Sequence, residues 1–210
     1  MIIKFRLFYK IFGLFYKVWE LYIMQNKLQG EINMGLKGSK TENNLMAAFA
    51  GESMARNKYT FFASVADEAG YKQIADIFKM TAANEKEHAE IWFKLWGGLS
   101  DTKENLITAA EGEKSEWTQM YAEFAKTAKE EGFTNIANLF EKVGLIEKEH
   151  EQRFRDLIAN IEKNEVFKKS EKKEWICRNC GHVHSGEEAP LACPVCAKQQ
   201  GYFELKVKNY

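Results

Sequence analysis

Two short motifs of the same form combine residue types that bind metal ions. Glu85 and Glu147 each stand three residues before a histidine, His88 and His150. Each pair falls within a series of apolar residues spaced three and four apart, which is typical of the buried face of a helix. A single Glu-x-x-His is common on solvated helix surfaces. Two pairs on apolar faces instead indicate a bound cation, because burying uncompensated carboxylates costs several kcal/mol each.

The helix before each motif adds one glutamate to its apolar face. Glu52 precedes the first motif by 33 residues and Glu116 precedes the second by 31, so the two helical hairpins form an internal repeat. One Glu from each of two helices, with Glu-x-x-His from the other two, is the ligand set of a di-iron four-helix bundle. We therefore predict that two iron ions, with manganese as the competitor, are bound by Glu52, Glu85, His88, Glu116, Glu147 and His150.

Tyr59 lies on the same helical stripe as Glu52. We predict that it packs in the core, and a role as a hydrogen-bond donor to the ligands is the alternative.

The four cysteines form two CxxC pairs, Cys177 with Cys180 and Cys193 with Cys196. This pattern predicts a metal site rather than disulfides, and therefore a reducing compartment, the cytoplasm. The spacing suits zinc as well as iron. We favour iron, because redox-inert zinc could not supply electrons to the predicted di-iron pair. His182 and His184 lie between the pairs and are expected to be exposed loop residues.

The composition excludes some classes of protein. Thirty Lys+Arg balance thirty Asp+Glu, which argues against a helical scaffold that binds nucleic acid. Residues 40–165 contain no proline, as long helices require. Helical periodicity predicts helices at about 41–67, 71–95, 101–132 and 134–163, and the third opens with a capping box, Asp101-x-x-Glu104.

These elements predict four segments: an extension (1–34), an all-α four-helix domain (35–165), a polar linker (166–173) and a small metal-bound β domain (174–210). The extension is rich in Phe, Tyr and Ile. It lacks the roughly 20 apolar residues of a membrane span and a signal-peptide cleavage site. We favour a start codon at Met24 or Met34, and an amphipathic helix on a membrane surface is the alternative.

Taken together, the motifs resemble the rubrerythrin family. The similarity spans residues 36–205, and its motifs are Ala48-Phe49-Ala50-Gly51-Glu52-Ser53, Glu85-Lys86-Glu87-His88, Glu147-Lys148-Glu149-His150, Cys177-Arg178-Asn179-Cys180-Gly181 and Cys193-Pro194-Val195-Cys196. The resemblance implies a ferritin-like di-iron domain followed by a rubredoxin-like domain with one iron on four thiolates. It also implies reduction of hydrogen peroxide to water, with electrons passing from the rubredoxin-like iron to the di-iron pair. A rubredoxin or an NAD(P)H-linked reductase would supply them. The alternative is a ferritin-like protein that oxidises and stores iron.

One position departs from the pattern that the resemblance implies. The family places a further carboxylate three residues after the glutamate at 116, and it exchanges with the histidine corresponding to His88 when the iron changes oxidation state. This chain has Gln119 there. A neutral amide is a poorer ligand, so we expect His88 to stay bound in both states.

The connection between the hairpins predicts how the chain assembles. In a ferritin-like bundle this connection must travel the length of the bundle, and residues 96–101 are too few to do so. We favour a homodimer that exchanges helical hairpins, and a simple up-down-up-down bundle is the alternative.

Overall fold

A computed structural model describes residues 35–209, and its first unit contains one helical hairpin. Helix α1 spans Lys40–Glu68 and helix α2 spans Lys72–Trp96. The side chain of Ser39 accepts a hydrogen bond from the Glu42 backbone N–H at 3.1 Å and caps α1. Gly70 adopts φ +84°, a conformation that glycine adopts without steric cost and that ends a helix.

The second unit begins with a hairpin in which the first arm is interrupted. Helix α3 (Thr102–Ser115) leads into a π-helical turn (Glu116–Met120), followed by α4 (Tyr121–Glu130) and α5 (Thr134–Glu162). Asp101 Oδ1 accepts from the Glu104 backbone N–H at 3.0 Å, as the predicted helix start requires. The sequence predicted one continuous helix here. The structure differs from this prediction at the π-helical turn, which accommodates one extra residue without ending the helix.

Small residues form the contact between the helices of each hairpin. The buried residues in the first hairpin are Ala63, Ala66, Ala75, Ala82 and Ala89, and those in the second are Ala110, Ala125, Ala128, Ala137 and Gly144. A Cβ added at Gly144 would lie 3.3 Å from Tyr121 Cβ, so glycine permits this close approach. Larger apolar side chains remain exposed, among them Phe62, Ile74 and Ile77 in the first hairpin and Phe124, Ile136 and Leu157 in the second.

A small antiparallel sheet follows in the second unit. Strands β1 (Lys168–Cys177), β2 (Val183–Glu188) and β3 (Phe203–Leu205) are arranged in the order β2-β1-β3. Trp175, Cys177, Ala189, Cys193 and Phe203 form its buried core. The indole of Trp175 donates to the carbonyl oxygen of Gly186 at 3.0 Å.

The predicted linker is shorter in the structure, because residues 168–173 belong to β1. Lys168 pairs with Glu188 and Lys173 pairs with Gly186, with an irregular register between them. The side chains in this part of the strand are mostly exposed, so the segment lacks the alternation of apolar and polar residues that reveals a strand in a sequence.

Two sequence-based expectations concern the amino-terminal segment. Its start at Met24 or Met34, and its alternative as an amphipathic helix, lie outside the described residues. Within the described part of the chain, no helix is long and apolar enough to cross a membrane.

Candidate metal centres

The first hairpin brings together three of the predicted ligands. His88 Nδ1 lies 2.8 Å from Glu85 Oε2 and 3.8 Å from Glu52 Oε1. One ligand atom from each of the three side chains lies within 4.8 Å of the others. Glu85 and His88 face the same way because they are one turn apart on α2, and α1 supplies Glu52 from the opposite arm.

The second hairpin carries a group of the same shape. His150 Nδ1 lies 2.7 Å from Glu147 Oε2 and 3.7 Å from Glu113 Oε2. These three side chains also meet within 4.8 Å. Their exposed fractions are 22% for Glu113, 15% for Glu147 and 34% for His150, so the group lies at the surface of its own hairpin and can accept further ligands.

Glu113 takes the position in this group that the sequence analysis assigned to Glu116. The internal repeat gives the reason. Residues 41–52 match residues 102–113, so Glu52 corresponds to Glu113, 61 residues later. After the π-helical turn, the offset is 62, and Tyr59 corresponds to Tyr121. Glu113 therefore stands in the regular helix before the extra residue, and Glu116 is the first residue of the turn.

Glu116 and Tyr121 interact electrostatically with members of the second group. Burial, followed by the charge of Glu147 and a hydrogen bond to its carboxyl group, raises the pKa of Glu113, and Glu116 adds to the effect. Burial and the charges of Glu116, Glu147 and Glu113 raise the pKa of Tyr121. Tyr121 therefore remains a neutral phenol near three carboxyl groups. Tyr121 was not predicted from the sequence, and Glu113 was not placed in this group, although their correspondence to Tyr59 and Glu52 in the internal repeat points to both.

The donor set fits divalent iron. Each group offers two carboxylates and one imidazole, which suit iron or manganese. Burial and the charge of Glu147 raise the pKa of Glu113. A divalent ion would offset the negative charge that causes part of this shift.

The four predicted cysteines meet at one point in the small β domain. Cys177 Sγ lies 3.7 Å from Cys196 Sγ, and Cys180 Sγ lies 3.6 Å from Cys193 Sγ. A disulfide would need about 2.0 Å. A tetrahedron with metal–sulfur bonds of about 2.3 Å has edges of about 3.8 Å, which these distances approach. His182 and His184 are not part of this group. Both are half-buried, and His184 belongs to strand β2, so the expectation of exposed loop residues was wrong.

Two of these thiols have shifted pKa values. A hydrogen bond from the Lys198 backbone N–H is the largest cause that lowers the pKa of Cys196, to about 6. A backbone hydrogen bond at His182 lowers the pKa of Cys180. Burial and hydrogen bonds with the other three sulfurs outweigh this effect and raise the pKa to about 12. One sulfur is thus already a thiolate at neutral pH, the form in which cysteine binds metals.

Helical hairpins with paired carboxylate–histidine groups, followed by a tetrahedral four-cysteine cluster, define a di-iron carboxylate protein with a rubredoxin-like domain. Comparison with known families supports this class directly. The rubrerythrin family model matches residues 43–158, and the rubrerythrin rubredoxin-like domain model matches residues 175–204. The chain belongs to the rubrerythrin family.

Its relatives match along their whole length. It is 48% identical to rubrerythrin of Porphyromonas gingivalis, over 89% of this chain and 100% of the relative. It is 48% identical to rubrerythrin-1 of Clostridium acetobutylicum, over 83% of this chain and 98% of the relative. It is 46% identical to rubrerythrin of Nitratidesulfovibrio vulgaris, over 83% of this chain and 98% of the relative.

Membership of this family establishes the fold class and the cofactors. The chain has a four-helix ferritin-like domain followed by a rubredoxin-like domain of short antiparallel strands. Its cofactors are a di-iron pair at the Glu/His groups and one iron at the four cysteines. Rubrerythrins are generally oxidoreductases, and the chain is an iron protein of that kind.

Proposed function

We propose that this chain is a non-haem di-iron peroxidase that reduces hydrogen peroxide to two molecules of water, in defence against oxidative stress. The supporting observation is that one chain combines two similar carboxylate–histidine groups with a four-cysteine cluster of tetrahedral dimensions. Iron storage would account for the carboxylate–histidine groups, but it would leave the four-cysteine cluster without a role.

In this proposal, each group holds one iron of the pair. The ligands are Glu52, Glu85, His88, Glu113, Glu147 and His150. Four carboxylates balance the charge of two divalent ions, which removes the cost of placing the charges in a protein interior.

Glu116 completes the proposed ligand set. It stands three residues after Glu113, and this is the spacing at which the family resemblance implies a carboxylate that exchanges with the histidine at 88. With Glu113 in the group, Glu116 occupies that position, and Gln119 lies one turn beyond it. Exchange between Glu116 and His88 is therefore retained in this proposal, contrary to the expectation from Gln119.

The protein's own side chains supply positions and protons. Iron, when bound, supplies the two electrons that the reaction consumes. The phenol of Tyr121 is protonated at neutral pH, as in any tyrosine, and burial with the neighbouring carboxylates raises its pKa further. We assign it as the hydrogen-bond donor to a substrate oxygen beside the second group. Two protons must reach the product waters.

The four-cysteine cluster has the role of an electron relay in this proposal. It accepts single electrons from an external redox partner, such as a rubredoxin or an NAD(P)H-linked reductase, and passes them to the di-iron pair. Cys177, Cys180, Cys193 and Cys196 would hold the iron of this relay, and iron would supply the one-electron redox chemistry that zinc lacks. The reducing conditions that keep the cysteines free are those of the cytoplasm.

Stopped-flow mixing tests the proposal. Iron-loaded, reduced protein is mixed anaerobically with hydrogen peroxide and, separately, with oxygen, and oxidation of the iron is followed optically. We expect faster oxidation by peroxide. Glu147→Gln should slow this oxidation, whereas Glu149→Gln, an exposed position in the same motif, should leave it unchanged. Faster oxidation by oxygen would favour an iron-oxidising ferritin-like function instead.

A further inference from the structure

The second residue of the π-helical turn, Trp117, is tied to helix α5. Its indole Nε1 donates a hydrogen bond to Glu151 Oε2 at 2.7 Å. The Glu151 side chain is 12% exposed and follows the proposed ligand His150. Lys148 Nζ lies 5.3 Å from the centroid of the Trp117 ring. The indole is therefore held both through its N–H and through its face.

Glu151 extends this contact to the helix that precedes the turn. Arg155 Nε donates to Glu151 Oε1 at 2.7 Å, and Arg155 Nη2 donates to Glu111 Oε1 at 2.9 Å. Glu111 lies on α3, before the π-helical turn. The chain of contacts Trp117–Glu151–Arg155–Glu111, which we call the Trp117 clamp, thus joins a residue inside the turn to a residue before it, through α5.

The first hairpin lacks the clamp and has no π-helical turn in its described residues. In the internal repeat, Ala50 corresponds to Glu111. Ala89 corresponds to Glu151, and Phe93 corresponds to Arg155. Helix α1 continues without interruption over the corresponding stretch. The clamp and the turn therefore occur together, on one hairpin of an otherwise similar pair.

A π-helical turn needs such a restraint. The position of the extra residue could shift along the helix. Each residue that the π-helical turn passes would then return to regular α-helix and rotate about the helix axis by about 100°. Glu116 begins the turn, so the direction of its side chain relative to Glu113 depends on where the turn lies. We propose that the Trp117 clamp holds the turn at Glu116–Met120 and so fixes the direction of the Glu116 side chain relative to Glu113. Its importance to iron binding rests on the proposed role of Glu116.

Hydrogen exchange tests the restraint without any metal. In the full-length, metal-free protein, Trp117→Phe keeps a six-membered aromatic ring and removes the indole N–H together with the five-membered ring that carries it. We expect the amides of residues 116–121 to exchange about tenfold faster than in the wild type, while those of 134–144 are unchanged. The matched control is Glu141→Gln, which breaks the Lys129–Glu141 ion pair on the same hairpin. Unchanged exchange at 116–121 in Trp117→Phe would overturn the proposal.

Manganese binding tests the link to the metal group. Electron paramagnetic resonance of the full chain titrated with Mn²⁺ reports on the carboxylate–histidine site, because thiolates are poor ligands for this ion. We expect Trp117→Phe and Glu151→Ala to weaken binding about tenfold or more. Glu151→Gln, whose amide oxygen still accepts from the indole, should recover most of the loss, which loss of structure alone would not produce. Wild-type affinity in Glu151→Ala would overturn the proposal. Neither readout requires turnover, so a failed peroxide assay would not affect them.

Discussion

One carboxyl group of the second metal group, that of Glu113, has a shifted pKa. Burial and the charge of Glu147 raise this pKa above its ordinary 4.5. Between 4.5 and the raised value, the folded protein holds a proton that the unfolded chain has released. This proton thus stabilises the metal-free fold below that range, and the contribution is lost as the pH rises through the folded pKa of Glu113.

We predict that the unfolding free energy of metal-free protein falls as the pH rises from about 4.5 toward neutrality. The fall should be smaller in Glu113→Gln, whose amide does not titrate. Urea titrations of the helical signal at a series of pH values, with a chelator present, measure both curves. Identical pH slopes for the two proteins would show that Glu113 does not carry this linkage.

Helical periodicity alone could identify most of the proposed ligands. Glu52, Glu85, His88, Glu147 and His150 lie in unbroken helices, where spacings of three and four residues predict the grouping that the structure shows. The choice between Glu113 and Glu116 could not be made that way, because these residues are one turn apart and both fit a 3.6-residue period. Only the one-residue change in the repeat, and the π-helical turn that produces it, distinguishes them.

Among the elements, the small sheet and its two cysteine loops carry the proposed relay. The loops bring four sulfurs to the spacing of a tetrathiolate site. The cysteines were predictable because CxxC pairs have a fixed local geometry around a metal. The first half of β1 was not predictable, because its run of exposed lysines and glutamates is typical of a linker. Only its pairing with β2 makes this segment a strand.

We predict that Cys177→Ser or Cys196→Ser abolishes turnover with an external electron donor and spares a single oxidation of the reduced di-iron pair by peroxide. The thiolates hold the relay iron, and the catalytic pair has its own ligands. Steady-state and single-turnover assays separate the two effects. Val195→Ser provides a control in the same loop, since Val195 is 67% exposed and binds no metal. Loss of the single-turnover reaction with the helices still folded would refute the relay assignment.

At the scale of the whole molecule, the connection between the two hairpins is short. Helix α2 ends at Trp96 and α3 begins at Thr102. A helix of 25 residues, as in α2, is about 37 Å long. Six Cα–Cα steps separate Trp96 from Thr102, and they reach about 21 Å when fully extended. A ferritin-like bundle needs a connection that travels the bundle's length, and exchange of hairpins between two chains removes this requirement.

We therefore predict a homodimer in which Glu52, Glu85 and His88 of one chain act with Glu113, Glu147 and His150 of the other. Glu52→Ala and Glu147→Ala proteins are refolded together, and heterodimers are isolated with two different affinity tags. One of the two sites in such a heterodimer should be intact, so iron binding and activity should return to about half the wild-type value. Heterodimers without any recovery would exclude the exchange and favour the up-down-up-down bundle.

We also predict that removing residues 1–33 leaves the fold, metal content and peroxidase activity unchanged. All proposed ligands and both family matches lie beyond this segment, between residues 43 and 204. Circular dichroism, metal analysis and the peroxide assay on the shortened chain provide the check. A folded, iron-loaded protein without peroxidase activity would give the segment a functional role.

The change of offset from 61 to 62 residues also has a genealogical meaning. Halves that match at Leu45 and Leu106, and again at Phe78 and Phe140, imply duplication of a gene for a single hairpin. Two copies of that ancestor would have given each metal the same surroundings. The second half has Glu116 where the first has Met54 and Ala55. One codon inserted into the second copy, or lost from the first, would make the two metal groups unequal.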